Sequence, residues 1–82
     1  MTPEQCRSAR AWLGWSQDEL AKAAGVGLST LKDFEAGKRE PMANNRKAIQ
    51  AVLEKEGFGF PVALDGGETY ASGITFAARQ KN

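Results

Sequence analysis

The chain has 82 residues, a net charge of +1, no histidine and one cysteine, so it is one small domain without an intrachain disulfide. Without histidine, the usual zinc sites and Ser-His or Cys-His catalytic pairs lack their residues, and no metal or cofactor is expected. No apolar run nears the ~18 residues of a membrane span, and no leader-like opening is present, so a cytoplasmic protein with no membrane contact is expected.

Thr2, Pro3 and Gln5 make a T-x-x-Q capping box with proline at the first helical position, which predicts a helix from Thr2 to Gly14. Cys6, Ala9, Trp12 and Leu13 fall at helical spacing as its buried stripe. Ser16 and Glu19 form a second box. Trp15 and Leu20 stand at the two positions of a hydrophobic staple, so another helix opens here, with Leu20, Ala21 and Ala24 inward. Gly25-Val26-Gly27 is a three-residue turn. A third helix is expected from Leu28 to about Ala36, with Leu31 and Phe34 inward and Leu28, Ser29, Lys32 and Asp33 outward. Two helices joined by so short a turn must cross steeply. That is the helix-turn-helix arrangement, in which the second helix is offered to the DNA major groove.

A fourth helix opens at Ala43 or Asn44 and runs to Glu56, with Ile49, Val52 and Leu53 as its stripe. Beyond Gly57 the composition changes. Residues 58–64 and 74–79 are β-prone, and the turn-rich DGGETYASG lies between them, so a β-hairpin or a pair of short strands is expected. Pro61 cannot donate to a ladder, so that strand is expected to be an edge or to start near it. The last three residues, Gln80-Lys81-Asn82, are expected to fray. The fold class is thus mainly α: a bundle of about four helices over residues 1–57, with a C-terminal β-rich extension over 58–82.

Residues 5–57 resemble the phage-repressor-like helix-turn-helix family, also called XRE or Cro-like. The matching pieces are RAWLGWSQ at 10–17, ELAKAAGV at 19–26, STL at 29–31, FEAGKREP at 34–41 and AIQAVLE at 48–54. The resemblance implies a recognition helix of about residues 28–36, with Leu28, Ser29, Lys32 and Asp33 at base edges. Their chemistry suits base reading. Lys32 can donate to guanine, Ser29 can donate or accept, Leu28 can pack on a thymine methyl, and Asp33 can accept from cytosine N4. The competing reading of this face is plain solvation. At positions 27 and 28, where the family usually has polar residues, this chain has Gly27 and Leu28.

The resemblance further implies that Gln17 contacts a phosphate and braces the recognition helix. It places Thr30, Lys38, Arg39, Asn44, Asn45 and Arg46 along the sugar-phosphate backbone. Arg10 and Glu35 are expected to pair and bridge the first helix to the end of the third. Residues 1–57 carry nine basic against eight acidic side chains, so DNA affinity must come from local placement of charge rather than bulk attraction.

An isolated two-stranded hairpin is marginal in water, so the extension must pack on the helices or pair with a second copy. Phe60, Val62, Leu64, Tyr70, Ile74 and Phe76 are the residues expected to build a homodimer. A dimer implies double-stranded DNA with a roughly palindromic operator. The leading expectation is a sequence-specific transcriptional regulator, a repressor or autoregulator. The alternative is a protein-interaction regulator, an antitoxin or antiactivator, whose extension binds a protein partner. No nucleophile–base pair, phosphate-cradling loop or metal spacing points to an enzyme. Gly66-Gly67 reads as a turn.

Overall fold

Both capping boxes close. Thr2 Oγ1 accepts from the Gln5 N–H at 3.2 Å while Gln5 Oε1 accepts from the Thr2 N–H at 2.9 Å. Ser16 and Glu19 make the same reciprocal pair, each bond 3.0 Å. Four orphan helix donors are thereby satisfied locally, which fixes where the first two helices begin. The computed structural model describes residues 1–65, 68–71 and 73–76, with the backbone alone for 62–65 and 68–71.

Four helices follow one another: α1 (Pro3–Leu13), α2 (Gln17–Ala24), α3 (Leu28–Glu35) and α4 (Ala43–Lys55). Four short strands come after them: β1 (Phe58–Gly59), β2 (Val62–Asp65), β3 (Glu68–Ala71) and β4 (Thr75–Phe76). The core is shared by every helix. Cys6 and Ala9 enter from α1, Leu20 and Ala21 from α2, Leu31 and Phe34 from α3, and Ile49 and Leu53 from α4. Phe58 of β1 joins them at 6% exposure. Each large apolar side chain fully buried here stabilises the fold by roughly 2–3 kcal/mol, so a core this small depends on all of them. Leu13, Trp15, Ala24 and Val52 are half-buried against it.

Trp12 does not take the core position that its spacing suggested. It is 70% exposed. Cys6, Ala9 and Leu13 already define the inward line of α1, and Trp12 lies off that line, seven residues after Gln5 and on the same flank. There its ring meets Phe76 of β4 at a centroid distance of 5.6 Å.

Residues 58–59 and 75–76, inside the two runs expected as strands, do pair, but the extension holds more than that one ladder. Two separate antiparallel ladders form. β1 pairs with β4 through Phe58↔Phe76 and Gly59↔Thr75. β2 pairs with β3 from Val62↔Ala71 to Asp65↔Glu68. Glu68–Ala71, expected as part of a turn-rich connection, is strand. Thr69 and Tyr70 are strand formers, and two residues separate this run from β2, the spacing of a tight hairpin. Pro61 stands between β1 and β2, outside both ladders. The turn expected at Gly66-Gly67, the 77–79 part of the second expected strand and the frayed end at 80–82 lie outside the described residues.

Candidate nucleic-acid interface

The turn between α2 and α3 is built by conformation. Gly25 adopts φ 69°, the left-handed conformation that only glycine enters without cost, and its N–H returns to the carbonyls of Ala21 and Lys22. Val26 is half-buried against the core and anchors the turn from inside. The chain then enters α3 at Gly27, which offers no side-chain acceptor to the first turn.

Leu31, Phe34 and Glu35 face inward from α3. Ser29 and Lys32 are exposed on its outer side. Asp33 and Thr30 are half-exposed. Leu28 departs from the expected exposed tip: it is half-buried and packs against the core. The reason lies in its register. Leu28 is three residues before Leu31, so the same turn spacing that buries Leu31 draws Leu28 toward the interior.

Gly37 ends this region at φ 71°. The Asp33 carbonyl accepts from the Lys38 N–H at 2.9 Å and from the Arg39 N–H at 3.4 Å. That wrap fixes the backbone of Lys38 and Arg39, whose side chains are exposed. At the start of α4, Asn44 and Arg46 are exposed and Asn45 is half-buried. Asn44 Oδ1 accepts from the Asn45 N–H at 3.0 Å. Arg46 Nε lies 3.5 Å from Glu40, a solvent-exposed ion pair of little stabilising weight.

Behind α3 sits a buried polar cluster centred on Glu35, which is 2% exposed. Arg10 grips it with two bonds of 3.0 Å, from Nε to Oε2 and from Nη2 to Oε1. Gln17 Nε2 donates to Oε1 at 2.9 Å. The Cys6 thiol donates to Oε2 at 3.3 Å. Arg10 Nη1 also donates to the Trp15 carbonyl at 3.0 Å, and Arg7 donates to the backbone carbonyl of Glu35. One carboxylate thus ties α1, the α1–α2 connection and α2 to the last turn of α3.

Burial opposes ionisation of Glu35, but hydrogen bonds from Arg10, Gln17 and Cys6 outweigh it and hold the carboxyl below its usual range. The hydrogen bond to Glu35 holds Arg10 charged above its ordinary value. Burial, followed by the adjacent Glu35 charge, pushes the Cys6 thiol well up, so it stays protonated and serves as a donor. No described buried side-chain polar atom lacks a partner.

The sequence located Arg10, Glu35 and Gln17 but missed Cys6 and Arg7 as members of this cluster. Their signal was present. Cys6 is one helical turn before Arg10, at i and i+4, and Arg7 is at i and i+3, so all three share one side of α1.

A family model described as helix-turn-helix matches residues 7–57, more than half of the chain. The chain belongs to the XRE/Cro-like helix-turn-helix family. No curated protein matches it. The XRE/Cro-like match takes in α2, the Gly25–Gly27 turn, α3 and all of α4. Membership of this family supports a DNA-binding, transcription-regulator type of function. The exposed Ser29 and Lys32 lie on the helix that a helix-turn-helix offers to the major groove. Among the described residues, no helix is long and apolar enough to cross a membrane.

Proposed function

We propose that this protein reads double-stranded DNA sequence-specifically as a homodimeric repressor or autoregulator, with α3 in the major groove of each half of a roughly palindromic operator. The observation that carries this reading is the braced recognition helix. Ser29 and Lys32 stand exposed on a helix whose opposite side is fixed through Glu35 by Arg10 and Gln17. Preorganisation of this kind lowers the ordering cost of base contact. Ser29, Lys32 and Asp33 supply the polar contacts. Leu28, rooted in the core, has its remaining exposed edge for a thymine methyl. Gln17, Thr30, Lys38, Arg39, Asn44, Asn45 and Arg46 supply backbone contacts, with Arg46 leaving Glu40 to do so. Dimerisation falls to the extension, through Phe60, Val62, Leu64, Tyr70, Ile74 and Phe76. No chemical step is assigned to the protein.

One observation favours a second reading, capture of a protein partner. Trp12 at 70%, Phe76 at 44% and Ile74 at 37% exposure are large apolar side chains at the surface. In a protein of this size such residues mark an association surface.

Titrating a duplex taken from upstream of the gene against a scrambled duplex, by fluorescence anisotropy at several salt concentrations, tests the reading. A dimer contacting ~8 phosphates gives log K falling with a slope of about −7 against log salt. Preference for the cognate duplex is expected at ~10³-fold or more. Lys32→Ala should relax that preference at one base position, at a cost of about 1–3 kcal/mol. Weak binding of equal strength to both duplexes counts against autoregulation and favours the protein-partner reading.

A further inference from the structure

Gln5 has no part in the DNA-facing surface, yet its side chain is 3% exposed and fully engaged. It lies five residues before Arg10, on a different flank of α1. Its Oε1 completes the capping box with the Thr2 N–H. Its Nε2 donates twice, to the Pro61 carbonyl at 2.8 Å and to the Gly73 carbonyl at 2.6 Å. Pro61 immediately precedes β2, and Gly73 follows β3. One carboxamide therefore closes the base of the whole excursion that carries the β2–β3 ladder.

Phe58 and Phe60 anchor the start of the extension in the core, and beyond them the described attachments are few. Among the described residues, β2 and β3 pair only with each other. β1 and β4 share two residue pairs. Phe76 lies against Phe58 at 4.9 Å and Trp12 at 5.6 Å, yet remains 44% exposed. A groove of about 450 Å³, lined by Glu4, Gln5, Ser8, Gly73 and Ile74, runs beside the carboxamide. Water from that groove can replace the two carbonyls as they leave, so opening strands no buried donor.

We propose that the Gln5 carboxamide is a latch that holds the C-terminal β-segment against α1, and that the segment opens as a unit, baring Phe58 and the tail-facing side of Trp12, when the Pro61 and Gly73 carbonyls leave it. The opening is local. The Glu35 cluster and the α2–α3 pair share no hydrogen bond with Gln5, so they persist while the segment is released. The latch stands independently of the DNA-binding reading.

Gln5→Glu isolates the latch. A carboxylate still accepts from the Thr2 N–H, because glutamate is itself a capping-box residue at this position. It has no donor for the two carbonyls and sets a negative charge beside them. Backbone amide hydrogen exchange in the full chain is the readout. The amides of β1 and β4 should exchange about 25-fold faster in the variant, from two lost hydrogen bonds worth roughly a factor of five each. Those of α2 and α3 should be unchanged. Unchanged protection in β1 and β4 overturns the proposal. Should the variant not fold, the wild-type protein decides by nuclear magnetic resonance. The Gln5 side-chain amide protons must exchange slowly, in step with β4 and faster than the core helices. Exchange at the rate of a free amide, or only with global unfolding, overturns it.

Discussion

Glu35 shows how one residue can govern a surface that it never reaches. It is buried on the side of α3 away from solvent, and its only route to DNA is through the orientation of the helix that carries Ser29 and Lys32. Removing one member of a buried pair leaves the other uncompensated, so Glu35→Ala should lower stability by about 3 kcal/mol, measured by urea unfolding. DNA affinity should fall with it, although no DNA contact is deleted. A Glu35→Ala variant that melts like wild type and binds equally well would refute the brace. The pH dependence has a definite sign. A carboxyl held below its ordinary value contributes stability at pH values above that ordinary value, ~4.3, and loses it as pH falls through the folded value. Acid unfolding should therefore show a Glu35-dependent step on the acid side of ~4, and Glu35→Gln should abolish that step. This pair was legible in the sequence because its family motif names both residues. The Cys6 thiol in the same cluster was legible only as an apolar core residue, since sequence spacing does not reveal which polar group faces a buried sulfur.

Element boundaries were the most readable feature of the chain, and the reason is local chemistry. Capping boxes, a staple and terminal glycines act over three or four residues, so α1 and α2 begin and end where their caps dictate. The start of α3, like that of α4, has no side-chain cap. Gly27 has φ −67° and ψ 143°, the conformation of an ordinary N-cap, but supplies no side-chain acceptor. A Cβ placed there meets only Thr30 Oγ1, at an ordinary 3.7 Å. Gly27→Ser should thus stabilise the protein by a few tenths of a kcal/mol, raising the melting temperature by about 2 °C. A fall in melting temperature would show that the glycine is needed for another reason. The extension was read less well. Strand propensity marked its apolar runs, but pairing partners are set by contacts distant in sequence. Nothing local could show that Thr75 belongs opposite Gly59, or that Glu68 begins a strand of its own. Trp12 was misread locally, since it lies off the inward line of α1, but its neighbour Phe76 was not readable at all because it arrives from a distant residue.

At the scale of the molecule, helices and extension share one core, because Phe58 sits at 6% exposure among residues of all four helices. A test of the extension's role in dimerisation must respect that. Truncation after Gly57 would strip the core of Phe58, whereas truncation after Phe60 keeps it. The shorter chain should retain its helical signal by circular dichroism, sediment as a monomer and bind operator DNA more weakly. Continued sedimentation as a dimer would move the interface onto the helices and Phe60, away from residues 62–76.

The chain's two tryptophans, three residues apart, stand in different surroundings. Trp12 is exposed but touches the extension at Phe76, while Trp15 is half-buried where α1 hands over to α2 and its carbonyl is held by Arg10. The protein therefore carries two native fluorophores, one for each event that its architecture separates. Emission from a Trp15→Phe variant follows the lifting of the extension, and emission from a Trp12→Phe variant follows the melting of the bundle. If the two traces coincide at every denaturant concentration, the molecule unfolds as one cooperative unit. If Trp12 moves first, the extension has a stability of its own, readable without any added label.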